Sequence, residues 1–236
     1  MLNGASANSL NQTQNKNAGK TYTIPILKPS VTPAAIAWDS VISADICEYV
    51  WGGEYRPRAQ AQLVFVPDDG FYARLSCCET SPRAVYRNFF DPVYRDSCLE
   101  FFAVWNCETS DYINVEMNAA GAMLSAVGPD RDRRRPITDF LAEPFSVKAA
   151  SENGGWSVTV RIGIDDLEKL TGLKKERLVS GYAFRGNFYK CGDDTDMPHY
   201  GSWNPISLPA PDFHCPDHFG TLVLGNLEDS VDKDGK

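Results

Sequence analysis

Two carboxylates, Glu100 and Glu116, sit inside apolar runs of period two, "SCLEFFAVW" and "YINVEMNAAG". A facing pair of carboxyl groups is the equipment of glycoside hydrolysis, one acting as acid and the other as base or nucleophile. Leu99 and Phe101 flank the first, Val115 and Met117 the second, and this alternation leaves two readings open. Either the acids meet across a cleft, or both turn to solvent or to arginines such as Arg74 and Arg95. A second reactive group is "FHCPDHF", with His214, Cys215, Asp217 and His218, joined by His199 and Cys191 upstream. A hydrolytic metal centre on His199, His214 and His218 is one use of it. Its spacing differs from the doubled two-to-four-residue spacing of zinc sites, and loop histidines that bond locally are the alternative.

Aromatic rings carry a more distinctive pattern. The stretch "NFYKCGDDTDMPHYGSWNPI", residues 187–206, mixes large rings with turn formers and contains no apolar run. Tyr94, Tyr189, Tyr200 and Trp203 lie among Pro, Gly, Asp and Asn and are expected at strand rims, whereas Trp38, Trp51, Trp105 and Trp156 fall in or beside apolar runs and read as core. A flat ring next to amides and carboxylates suits a sugar, whose C–H face stacks while its hydroxyls seek paired polar groups in a concave site. The alternative is that Trp203 packs beneath its own loop, stiffened by Pro198, Pro205, Pro209 and Pro211. Exposed rings could equally contact another polypeptide.

Other chemistries lack their motifs. There is no glycine-rich phosphate loop, no GxSxG elbow and no HExxH. A net charge of −8 and a pI near 4.9 argue against a nucleic-acid partner. The basic cluster "RDRRR", Arg131 to Arg135, lies between Pro129-Asp130 and Pro136 and reads as a solvated loop. No apolar stretch approaches the 18 residues of a membrane span, so no membrane partner is expected. The first residues lack the basic and apolar regions of a signal peptide, which as written points to the cytoplasm; a trimmed signal would place the protein outside. Seven cysteines, an odd number with no CxxC pair and several inside apolar runs, suggest reduced thiols. Oligomeric state leaves no trace in these patterns.

The elements that must position such groups are mostly strands. Candidates fall at 22–27, 42–50, 61–67, 70–79, 97–105, 112–121, 144–149, 154–164, 179–189 and 219–226. In 156–164, Trp156, Val158, Val160, Ile162 and Ile164 share one face and Ser157, Thr159, Arg161 and Gly163 the other. Pro67-Asp68-Asp69-Gly70 is a hairpin turn in which Gly70 is expected to take a positive φ. One short helix follows, "IDDLEKLTGL", with Asp165 as N-cap, Glu168 completing a capping box and Gly172 as the stop. The expected fold is all-β, an antiparallel β-sandwich of jelly-roll type with one short helix. It occupies 21–227 as a single domain, between a disordered tail at 1–20 and a polar tail at 228–236. "DKDG" in the last tail opens like a calcium loop, but the sequence ends before a closing glutamate.

Four segments together, "YRDSCLEFF" (94–102), "YINVEMNAAG" (112–121), "WSVTVRIGIDDL" (156–167) and "GNFYKCGD…HYGSWNPI…PDFHCPDHFGTLVL" (186–224), resemble the family 9 carbohydrate-binding modules, and more closely their stand-alone family 9-like branch. The likeness runs from about residue 35 to 227. It implies a sandwich that binds a glucan, xylan or related oligosaccharide end and catalyses nothing. Tyr94 stands where the family has its first clamp tryptophan, before a D-x-x-x-E segment, and Trp203 matches the second. Glu100 matches the hydroxyl-binding carboxylate, and Glu116 replaces an arginine, a charge reversal. Asn187 and Tyr189 belong to the branch's own signature, and Tyr200 joins them on the same rim. The resemblance implies no catalytic cofactor. Structural calcium would find oxygens at Asp193, Asp194 and Asp196, or at Asp68 and Asp69.

Overall fold

The computed structural model describes residues 19–152 and 154–225; the expected tail at 228–236 and all but the last two residues of the one at 1–20 lie outside them. Along the chain come β1 (Thr21–Ile24), β2 (Ala44–Ile46), β3 (Glu48–Gly52), β4 (Ala59–Val66), β5 (Gly70–Cys77), β6 (Cys98–Val104), β7 (Tyr112–Asn118) and β8 (Met123–Gly128). Then follow β9 (Arg135–Pro136), β10 (Ser146–Glu152), β11 (Gly155–Gly163), α1 (Ile164–Thr171), β12 (Ala183–Cys191), β13 (His199–Ser202) and β14 (Gly220–Leu224). They form two sheets. The larger runs β1-β14-β12-β6-β7-β8-β9, with β13 against the end of β12 and β3 against β13; the smaller runs β10-β11-β5-β4-β2. All pairings are antiparallel save β1 with β14, which is parallel. The protein is thus the expected β-sandwich with one short helix.

Between the sheets lies the main core. β6 contributes Leu99, Phe101 and Ala103, β7 contributes Ile113, Val115 and Met117, and β11 contributes Trp156, Val158, Val160 and Ile162. Trp105 stacks on Phe184 at 4.6 Å and Phe101 on Phe188 at 4.8 Å, so large rings fill the middle layer. Fully burying each such side chain is worth about 1.5–3 kcal/mol. Trp38 and Trp51 are only half-buried and pack at the edges.

The opposite faces of β6, β7 and β12 are covered as well. Cys98, Glu100, Phe102 and Val104 on β6, Tyr112, Asn114, Glu116 and Asn118 on β7, and Asn187, Tyr189 and Cys191 on β12 point away from the smaller sheet and are all buried. Val93, Ile206, Phe213 and Phe219 pack over them. A half-solvated strand would expose this row. Here its polar members instead floor a roofed hollow.

Local details correct three expectations. In the turn Pro67–Gly70 the left-handed residue is Asp68, at φ 64°, and not Gly70. Glycine is required at 70 because a Cβ there would strike the carbonyl oxygen of Ile162 on β11. Gly70→Ala is therefore expected to cost roughly 1–3 kcal/mol by overpacking, read as a lower urea midpoint. The helix begins one residue before the expected capping box. Gly163 is its N-cap, without a side-chain cap bond, and Asp165 and Asp166 lie in the first turn, where the helix dipole favours acids. Gly172 does end it, at φ 71°, its N–H bonded to the Glu168 carbonyl. Finally, 199–202 forms β13, although the surrounding stretch reads as loop.

Candidate functional site

On the outer face of the larger sheet a cavity of about 330 Å³ opens, lined by Tyr94, Glu100, Glu116, Arg131, Arg134, Cys191, Asp193, Tyr200, Pro211, Asp212, Phe213 and His214. Strands supply the floor: Glu100 on β6 stands directly opposite Glu116 on β7, and both are 2% exposed. Loops supply the walls. Tyr94 comes from the segment before β6 and is 39% exposed, Tyr200 comes from β13, and Phe213 and His214 come from the segment before β14. A larger cavity of about 610 Å³ lies along 45–49, 56–60 and 76–78, but it gathers no comparable set of rings and acids.

Opposed acids with Cβ atoms about 5 Å apart cannot both ionise cheaply in a dry floor. Burial, then the neighbouring Glu116, pushes the Glu100 carboxyl well above its usual range. Burial likewise raises Glu116 to about 7, against the pull of Arg134. Arg134 Nη1 lies 3.5 Å from Glu116 Oε1, and the Asn114 amide donates to the same oxygen at 3.1 Å. The basic cluster is therefore only partly a solvated loop. Arg134, its side chain 18% exposed, turns inward, and Arg131 donates to Asp212 at 2.8 Å on the far wall.

His214 is a fixed acceptor at this wall. Its Nδ1 lies 2.8 Å from the Tyr112 hydroxyl and 3.3 Å from Arg134 Nη1, and burial together with Arg134 drops its pKa to about 2. A neutral ring that accepts at Nδ1 carries its proton at Nε2. Asp193, pushed up by burial, faces Tyr200 across the rim.

The remaining expected residues lie elsewhere. Trp203 is 5% exposed inside the main core, edge-on to Tyr22 at 6.5 Å and tilted against Phe188 at 5.7 Å. Its expected place on an exposed rim is corrected. The β12–β13 register pairs Cys191 with Tyr200 and Tyr189 with Ser202, so the next position inward sets Trp203 beside Phe188, whose carbonyl accepts the backbone N–H of Trp203 at 2.9 Å. Alternation turns Tyr200 outward and Trp203 inward. Tyr189 is fully buried, stacked on Phe213 at 4.1 Å and 10°; it backs the wall and does not reach the cavity. Asn187, also fully buried, donates to the Asn204 carbonyl and accepts from the Asn204 and Phe188 amides, tying the chain after β13 to β12. Both were expected to touch ligand, and both are instead supports.

No histidine metal cluster assembles among the described residues. His199 bonds Lys190 and the Met197 carbonyl, while His214 is held by Tyr112. The one group of three metal-competent side chains among the described residues is Cys98, Glu100 and Cys191. Asp193, Asp194 and Asp196 bring no such trio together; Asp194 faces Arg95 at 3.6 Å, and Asp69 accepts Arg161 Nε at 2.8 Å. None of the seven cysteines is in a disulfide. Among the described residues no helix is long and apolar enough to cross a membrane.

A roofed cavity combining tyrosine and phenylalanine rings with acids and an arginine, on the outer face of a β-sandwich, has the form of a small-ligand binding site. The chain belongs to carbohydrate-binding family 9, whose sequence profile matches residues 31–224; the family is one of non-catalytic binding modules. Three solved structures share the fold. A Bacteroides uniformis protein proposed to bind carbohydrate is 25% identical, with a TM-score of 0.71 over 87% of this chain and 99% of its own. A family 9 module from Caldicellulosiruptor kristjanssonii in complex with cellotriose is 15% identical, with a TM-score of 0.63 over 92% of this chain and 100% of its own. The module from the same organism in complex with glucose is 15% identical, with a TM-score of 0.62 over 88% and 97%. No curated protein matches the chain.

Proposed function

We propose that the protein binds the end of a glucan, xylan or related oligosaccharide in the cavity floored by Glu100 and Glu116, without covalent chemistry. The observation that carries this reading is the convergence of Tyr94, Tyr200 and Phe213 with Glu100, Glu116, Arg134 and Asp193 around one cavity in a family 9 chain. Tyr94, the most exposed of the rings, stacks on the C–H face of a sugar, and Tyr200 bounds the other side of the rim. Glu100, its carboxyl pushed well above the usual range by burial and by Glu116, donates to a hydroxyl. Glu116 and Asp193 accept, and Arg134 donates while balancing charge. Complexes of the Caldicellulosiruptor module with cellotriose and glucose support the ligand class. Membership of a family of non-catalytic binding modules supports binding over hydrolysis.

A cavity this small yields modest affinity, on the order of micromolar to millimolar, because few contacts must offset association entropy. Calorimetry with cellotriose and xylo-oligosaccharides, beside affinity electrophoresis on xylan, cellulose and β-glucan gels, tests the reading. Tyr94→Ala is expected to weaken binding roughly 3- to 10-fold through lost stacking. Unchanged migration on every polysaccharide, with no heat from any oligosaccharide, would overturn it.

A further inference from the structure

Beneath the cavity, Cys98 on β6 stands directly opposite Cys191 on β12, and Glu100 lies two residues along β6 on the same face. All three are buried, and one donor atom from each falls within 4.8 Å of both others. Cys191 Sγ approaches Glu100 Oε1 to 3.0 Å. We propose that Cys98 Sγ, Cys191 Sγ and Glu100 Oε1 form a site for one thiophilic divalent cation of the zinc class, with its fourth position open to the cavity.

The geometry suits such an ion. Zinc takes sulfur at about 2.3 Å and carboxylate oxygen at about 2.0–2.2 Å, which sets donors of a tetrahedral set about 3.6–3.8 Å apart. Cys191 Sγ and Glu100 Oε1, at 3.0 Å, are closer than that and no pair is farther apart than 4.8 Å, so side-chain rotation without backbone movement brings the three donors to the ion. Strand backbone fixes all three Cα positions, so little ordering is left for the ion to drive. Cys191 and Glu100 line the cavity while Cys98 lies behind them, leaving one approach, from the cavity side. Two thiolates and oxygen favour zinc or cadmium over calcium or magnesium, which prefer all-oxygen shells.

Binding must displace protons. Burial, followed by the neighbouring acids and against the hydrogen bond of the Cys191 thiol, pushes Cys98 up to about 12 and Glu100 well above its usual range, so a metal ion competes with protons at both. The balanced step is one divalent cation plus two thiols and one carboxylic acid giving the bound complex and three released protons. Affinity therefore climbs as pH rises.

Cadmium is a direct probe, because Cd²⁺–thiolate bonds absorb in the near ultraviolet. Titrating the full chain, kept reduced by a phosphine, is expected to show one saturable equivalent with proton release that scales with buffer ionisation heat. The band is expected to persist in Cys47→Ser/Cys78→Ser/Cys107→Ser, which removes the exposed thiols, and to vanish in Cys98→Ser and in Cys191→Ser. A band lost in the triple variant, or none in wild type, would overturn the proposal. Should a buried-thiol variant unfold by near-ultraviolet circular dichroism, Glu100→Gln decides in its place: weakened cadmium affinity is expected, and an unchanged titration would overturn the proposal. No sugar enters the titration, so its outcome is independent of the carbohydrate reading.

Discussion

Replacing Trp203 by alanine is expected to destabilise the protein by about 3–5 kcal/mol, the range for removing a buried large ring, while leaving sugar affinity of the folded fraction unchanged. The indole fills the space between Tyr22, Phe188 and the backbone of Gly220, where an added Cβ would lie 2.6 Å from its ring. That packing cannot close over a vacancy, because strands β1, β12 and β14 around it are hydrogen-bonded in register. Urea unfolding supplies the stability change, and calorimetry on folded protein supplies the affinity. A loss of affinity equal to that of Tyr94→Ala, without a lower urea midpoint, would mean that the indole faces ligand.

The second large effect comes from the opposed acids. As pH rises from about 4.5, the ordinary carboxyl value, the unfolded chain releases protons that Glu100 and Glu116 still hold in the fold. The folded state binds more protons over that interval, so their contribution to stability falls until pH passes the folded value, about 7 for Glu116. Each unit of upward shift corresponds to about 1.4 kcal/mol, which makes the loss from Glu116 on the order of 3 kcal/mol. Glu100→Gln removes the like-charged neighbour and keeps Arg134's partner. It is expected to raise stability at pH 8, where the buried Glu100 carboxyl is most costly, and to change little at pH 4.

His199 and His214 act in the other direction. Burial holds them at about 4 and about 2, so their contribution is lost as pH falls below 6.5. The difference between wild type and variant across pH, in chelator-containing buffer, therefore isolates the acids. A difference that stays flat from pH 4 to 8 would show that the pair is solvated.

Most of the architecture was legible because period-two alternation reports burial directly. The face of β11 carrying Trp156, Val158, Val160 and Ile162 is buried as the sequence pattern requires. β8 was missed since "MLSAVG" alternates weakly, and β13 because its four residues sit among turn formers. The site was half legible. Glu100 and Glu116 stood out as acids in apolar runs, yet alternation alone cannot say that their face is roofed. Arg134 was hidden in a cluster that composition marks as solvated, and only the β8–β9 hairpin brings it inward. The inward place of Trp203 follows from spacing. Tyr200 and Trp203 are three residues apart, so in any extended segment they point to opposite faces. One ring at the cavity therefore implied the other in the core. Phe213 gave no signal, since a lone phenylalanine beside Pro211 and Asp212 reads as loop packing.

On the proposed function, sugar occupies the hollow above Glu100 and Glu116, bounded by Tyr94, Tyr200 and Phe213. Chemical-shift mapping of the labelled protein during titration with cellotriose tests it most directly. Saturable shifts are expected to concentrate on Tyr94, Tyr200, Phe213 and the Arg134 side chain, with the Trp203 indole N–H unmoved. Shifts centred on the indole and the neighbouring β1 edge, with the cavity rings silent, would contradict it.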